Sequence, residues 1–144
     1  MNYATIKWSD DVNGDKMSLS LFVSGCNFGC INCFNKDAQN KDYGKKFDVD
    51  TQDLIINYFH INTKYIQNFS VLGGEPLMDY NYPEVLSFIK RFKTEFPDKT
   101  VWLWSGYKYE EIEKNKKEIL QYIDVLCDGI FIDSLKHKEL RYDT

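Results

Sequence analysis

The sequence contains no apolar run long enough to cross a bilayer, since a spanning helix needs about 20 such residues. It also has no basic patch: 18 lysines and arginines are outnumbered by 22 aspartates and glutamates, for a net charge of −4. Lys114, Lys116 and Lys117 are interleaved with Glu110, Glu111, Glu113 and Glu118, a pattern of a solvated helix face and not of a nucleic-acid surface. Histidine is scarce, with only His60 and His137. Met1-Asn2-Tyr3-Ala4-Thr5 lacks the basic start and apolar core of a secretory signal. The expectation is a cytoplasmic protein in a reducing compartment, where clustered cysteines bind metal more often than they form disulfides.

With 144 residues, 43% of them hydrophobic and 16% aromatic, the chain can build one packed core, and a single domain over 1–144 is expected. Three of its four cysteines fall within eight residues, Cys26, Cys30 and Cys33, spaced C-x3-C-x2-C. Thiolates are soft ligands, and three on one loop can converge on one inorganic centre. Gly25 and Gly29 permit the turns that would fold them inward. In a four-iron cubane, three cysteines leave one iron without a protein ligand, open to a substrate or cofactor. Other readings compete. A structural zinc needs a fourth ligand, for which Cys127, His60 and His137 are the candidates. Cys30 and Cys33 also suit a dithiol redox pair, although that gives Cys26 no part. Buried cysteine is often a plain apolar side chain, but Gly and Asn neighbours do not look like core.

The periodicity predicts a strand near 3–8, then a first buried strand at 19–23 that runs directly into the cysteine loop. A helix over 51–61, capped by Asp50, carries Leu54, Ile55, Tyr58 and Phe59 inward. A strand at 69–72 ends abruptly at Gly73-Gly74-Glu75-Pro76. The next helix has Pro83 in its first turn and Val85, Leu86, Ile89, Phe92 and Phe96 on one face. A strand at 101–104, a helix at 109–122 and a last strand combining 125–127 with 130–132 follow, and the polar tail offers no further element. Strand–helix alternation predicts an α/β fold with a mostly parallel sheet, helices covering both faces. The chain is too short for an eight-unit barrel, so a partial, open βα barrel is expected. The cysteine loop, Gly73-Gly74-Glu75-Pro76 and Ser105-Gly106 would then share the edge where α/β sites gather. The glycine pair allows close backbone approach to a ligand, and Glu75 either pairs with a ligand ammonium or holds its loop.

At these positions the sequence resembles the radical S-adenosylmethionine (SAM) superfamily. Val23-Ser24-Gly25-Cys26-Asn27, continuing through Cys30 and Cys33 to Asn35, is joined by Leu72-Gly73-Gly74-Glu75-Pro76-Leu77, Leu103-Trp104-Ser105-Gly106-Tyr107 and Asp128-Gly129 with Phe131. Together these are similar to the small activating enzymes of anaerobic ribonucleoside-triphosphate reductase. The resemblance implies a radical SAM type barrel, truncated relative to the full one. It implies a [4Fe–4S] cluster on Cys26, Cys30 and Cys33, with SAM on the open iron. Gly73, Gly74 and Glu75 would receive the SAM amino group, the backbone of Asn32, Cys33 and Phe34 would lie against adenine, and Ser105 would reach the ribose or carboxylate. The superfamily often has an aromatic at the position of Asn32, so adenine packing falls to a neighbour such as Phe34. The implied activity is that of an oxidoreductase whose 5′-deoxyadenosyl radical takes a glycine Cα hydrogen from the reductase large subunit. Flavodoxin or ferredoxin would be the electron donor. Activation of another glycyl-radical enzyme, such as pyruvate formate-lyase, is the runner-up, with a non-catalytic zinc or iron–sulfur module as the reading from a different class.

Overall fold

Hydrophobic alternation and turn residues set the elements of a computed structural model that describes residues 1–10, 17–26, 39–129 and 141–142. β1 (Asn2–Asp10) lies antiparallel to β2 (Ser18–Val23), and the short β3 (Lys45–Lys46) pairs with the outer side of β1. β2, β4 (Asn68–Gly73), β5 (Thr100–Trp104) and β6 (Val125–Cys127) are parallel neighbours. β7 (Arg141–Tyr142) returns antiparallel to β6. The order across the sheet is β3-β1-β2-β4-β5-β6-β7, a mixed α/β arrangement with a parallel centre and antiparallel margins. Parallel neighbours require crossovers, and α1 (Val49–Ile61), α2 (Tyr82–Glu95) and α3 (Tyr109–Asn115) lie in them.

Alternate residues of the parallel strands, Leu19 and Leu21, Phe69 and Val71, Val101 and Leu103, form one apolar face. Ile55, Phe59, Phe88, Phe92, Ile112 and Ile119 pack onto it, with the Phe59 and Phe92 rings T-shaped at 4.8 Å, a favourable aromatic geometry. The sequence pattern predicts helices on both faces; among the described residues all three contribute to this one core. The intervening positions place Ser20 beside Ser70 and Ser70 beside Trp102 on the other face. They too are buried, which is why the sequence of β5 reads as apolar throughout.

Other boundaries differ from the sequence pattern for local reasons. Asp48, not Asp50, caps α1: its Oδ1 accepts the Thr51 N–H at 2.9 Å, and that bond holds its carboxyl below the usual range. Leu54 is 58% exposed whereas Ile56 is buried, because the inward stripe runs through Ile55, Ile56 and Phe59. The expected helix over 109–122 breaks at Lys116, with α3 before it and a 3₁₀ turn, Lys117–Gln121, after it. There the Lys116 ammonium lies over the Tyr82 and Tyr107 rings at 5.5 and 5.9 Å and reaches Asp79 at 3.0 Å, tertiary contacts that override helix propensity. β7 has no counterpart in the sequence pattern, since two residues carry no readable period. The strand expected at 130–132 lies outside the described residues.

Candidate functional site

Because β2, β4, β5 and β6 run parallel, the chain leaves all four at one edge of the sheet. Backbone hydrogen bonds then join the loop after β2 to the loop after β4, and the loop after β5 to the loop after β6, while the Glu75 carboxylate joins the middle two. Gly74 N–H donates to the Val23 carbonyl at 2.8 Å, and Glu75 N–H donates to the Gly25 carbonyl at 2.7 Å. Ser105 N–H donates to the Cys127 carbonyl, and Gly129 N–H to the Tyr107 carbonyl, each at 3.0 Å. Asp128 Oδ2 accepts the Tyr109 N–H at 2.8 Å. The cysteine loop, the Gly-Gly-Glu loop, Ser105-Gly106 and Asp128-Gly129 are one connected surface.

Cys26 stands at the start of this surface. Its N–H donates to the Gln39 carbonyl at 3.1 Å, and its side chain is half-buried. Cys30, Cys33, Asn32 and Phe34 lie outside the described residues. Ser24 is fixed two residues earlier, its hydroxyl donating to the Tyr43 carbonyl at 2.7 Å and its N–H to the Asn2 carbonyl at 3.0 Å. The glycine pair is explained by proximity. A Cβ on Gly74 would come within 2.5 Å of the Gly25 carbonyl oxygen, and one on Gly73, at φ +109°, within 2.7 Å of Val23 N. Gly74→Ala is therefore expected to push the cysteine loop away from its neighbour at a cost of about 1–3 kcal/mol. Thermal denaturation of the apo protein and iron content after reconstitution would both fall; unchanged values would show that the contact tolerates a methyl.

Glu75 is 1% exposed, so its carboxylate is an internal clamp. Oε2 accepts the Leu77 N–H at 2.9 Å and the Ser105 hydroxyl at 2.8 Å, and Oε1 accepts the Gly106 N–H at 2.6 Å. Burial pushes its carboxyl up to about 7, against the three donors and the Lys116 charge, which favour the carboxylate. Of the two roles open to Glu75 in the sequence, holding the loop is the one its contacts display. Ser105 is drawn into the same clamp, its oxygen also accepting the Tyr107 N–H at 3.1 Å.

Two tyrosines and an asparagine join the site without a sequence signal of the kind that marked the cysteines. The Tyr80 ring packs over Gly25, where a Cβ would meet it at 2.5 Å. Burial, then the charges at Cys26, Tyr107 and Glu75, raise its phenol above the ordinary value. Tyr107, itself raised by burial and by Glu75, points its hydroxyl at the Met78 sulfur, 3.7 Å away. Asn81 is buried against the Ser24 and Glu75 carbonyls. A search by helix-start chemistry would have found Asn81, but for a capping role that its side chain does not perform.

The donor set fits a thiolate-held cluster better than zinc. Cys127 is buried beside Trp102 and Val125, and burial pushes its thiol up to about 12, which leaves it protonated and apolar in character. His60 lies in the last turn of α1 and meets Glu95 at 2.7 Å. Downstream of that turn, Gln67 N–H donates to the Met17 carbonyl just before β2, so His60 belongs to the opposite edge of the sheet. His137 lies outside the described residues. No helix among the described residues is long and apolar enough to cross a membrane.

The family model described as "4Fe-4S single cluster domain" matches residues 12–144. The chain is 39% identical, over 92% of its length and 85% of the relative's, to a Haemophilus influenzae protein named anaerobic ribonucleoside-triphosphate reductase-activating protein. Proteins of the same name from Enterobacteria phage T4 and Escherichia coli K12 are 37% and 36% identical over 97% of this chain, which spans 87% and 91% of them.

Proposed function

The chain belongs to the family of anaerobic ribonucleoside-triphosphate reductase-activating proteins, and on that premise we propose that it is the radical SAM enzyme that installs the glycyl radical of its reductase. The observation that carries this reading is the lock between the cysteine loop and the Gly73-Gly74-Glu75 loop at the C-terminal edge of parallel strands. It sets Gly25, next to the first of the three cysteines, directly against a pair of glycines.

Cys26, Cys30 and Cys33 would hold the [4Fe–4S] cluster, leaving one iron open for SAM. Once bound, the cluster and SAM would supply the one-electron chemistry needed to take a glycine Cα hydrogen. The chain's own residues position and enclose. Of Gly73, Gly74 and Glu75, the two glycine carbonyls are the acceptors suited to the SAM ammonium, because the Glu75 carboxylate is engaged by three donors and its carbonyl by Asn81 and Met78. Ser105 acts through Glu75, and a direct contact to the ribose or carboxylate of SAM would require its hydroxyl to leave that bond. Asn32, Cys33 and Phe34 are assigned to the adenine side. The second sheet face, lined by Ser20, Ser70 and Trp102, suits the inner wall of a partial βα barrel, to which the reductase large subunit would bring its glycine loop. Flavodoxin or ferredoxin is the class of donor that would reduce the cluster in a cytoplasmic setting.

The test is anaerobic reconstitution with iron and sulfide, followed by dithionite and SAM, with and without the reductase large subunit. The expected result is 5′-deoxyadenosine, and a glycyl radical on the partner seen by electron paramagnetic resonance. Product without a partner radical would move the target to another glycyl-radical enzyme. Stoichiometric zinc, no cluster and no product would overturn the proposal.

A further inference from the structure

We propose that Asn81 is a positioning residue that latches the cysteine loop to the Gly74-Glu75 loop and thereby sets the geometry in which SAM meets the cluster, an inference that rests on the function proposed above. Asn81 immediately precedes α2, where an asparagine side chain ordinarily accepts a hydrogen bond from the first turn. It makes no such bond. Its Nδ2 instead donates to the Ser24 carbonyl at 2.9 Å, 57 positions away, and to the Glu75 carbonyl at 3.0 Å. Both partners are acceptors only, so the NH₂ group must face them and the amide orientation is fixed. The consequence is that Oδ1 is left buried with no donor among the described residues, in a side chain 1% exposed.

That arrangement is a poor one for stability alone. It forgoes a helix cap and leaves an acceptor with no donor among the described residues, and each carries a penalty. What it secures is a third tie between the two loops. The other two are the bonds from Gly74 N–H to Val23 and from Glu75 N–H to Gly25. Those two are backbone-to-backbone bonds, whereas the Asn81 side-chain amide bonds both carbonyl-bearing segments at once. Without it the loops stay adjacent but can pivot. A pivot at Ser24 is carried to Cys26 two residues on, and one at Glu75 to the glycine carbonyls proposed to face SAM. Misplacement of reacting groups by about 1 Å is enough to cost about a hundredfold in rate.

The experiment compares Asn81→Ala and Asn81→Asp with Ile89→Val, a truncation in the core on α2. Amide hydrogen exchange is read first, on the apo protein. In Asn81→Ala the Gly74 and Glu75 amides are expected to exchange about tenfold faster or more, while Phe69 and Val71 keep wild-type protection. Asn81→Asp, which sets an oxygen against two carbonyls, should exceed that effect. After reconstitution, Asn81→Ala should retain wild-type iron, bind SAM about tenfold more weakly, and lose the SAM-induced change in the cluster's paramagnetic resonance spectrum. Unchanged loop exchange in Asn81→Ala, or equal acceleration in Ile89→Val, overturns the latch. Faster exchange with wild-type SAM affinity and spectral response overturns its role toward SAM. A wild-type protein that takes up no cluster defeats the functional reading, and the SAM part of this one with it, while the exchange result still decides the latch.

Discussion

Cys26→Ala is expected to yield a folded protein with at least about tenfold less bound iron and sulfide after reconstitution, and with 5′-deoxyadenosine formation at background. The backbone contributions of this position survive the change: Cys26 N–H still reaches Gln39, and Gly25 still accepts from Glu75. The side chain is only half-buried, so little packing is lost, and the apo protein should unfold within a few degrees of wild type. The chemical loss is large because no fourth cysteine can take over. Cys127 is held in β6 beside Trp102, its thiol pushed up to about 12 by burial, and the thiolate is the form that binds metal. Wild-type iron in the variant would remove Cys26 from the ligand set. A collapse of apo stability would show that the residue is structural.

Glu75→Ala is expected to destabilise the apo protein by about 3 kcal/mol or more, since each buried donor deprived of its acceptor costs about 1–3 kcal/mol. The donors at risk are Leu77 N–H, the Ser105 hydroxyl and Gly106 N–H. For a chain of this size the midpoint of thermal denaturation should fall by about 10 °C. A shift under about 2 °C would show that water replaces the carboxylate without penalty.

The same residue gives the protein a pH dependence. Burial raises the folded-state value from 4.5 to about 7, so between these limits the folded state holds the proton more tightly than the unfolded chain. Stability from this group is therefore complete below about 4.5 and is lost as pH rises to about 7, by about 3 kcal/mol in all. Glu75→Gln should flatten that slope, and denaturant titrations at pH 5, 6 and 7.5 would measure it. A slope that persists in Glu75→Gln would assign the dependence to another group.

How much of this is legible without the structure follows from the range of the interactions involved. The parallel centre of the sheet is readable because the short apolar runs of β2, β4 and β5, and the 3.6-residue stripe of α2, are local patterns. The cysteine loop is readable because three soft ligands within eight residues are the donor pattern of a single inorganic centre. Gly73 and Gly74 are legible as a place of close approach, and in the structure the Val23 backbone comes close to Gly73 and the Gly25 backbone to Gly74.

By itself, the sequence determined the order of the principal elements and marked the chain as an iron–sulfur protein, both written in nearest neighbours along the chain. Only the tertiary structure decided that Glu75 is a clamp, that Lys116 ends α3, that the three helices share one face, and that Asn81 faces the cysteine loop instead of its own helix. Each depends on partners tens of residues away, such as Ser105 for Glu75 and Ser24 for Asn81. Burial there sets the balance: away from water, a carboxylate or an amide goes to whichever donors and carbonyls the fold brings within reach, and local propensity has no say in which those are.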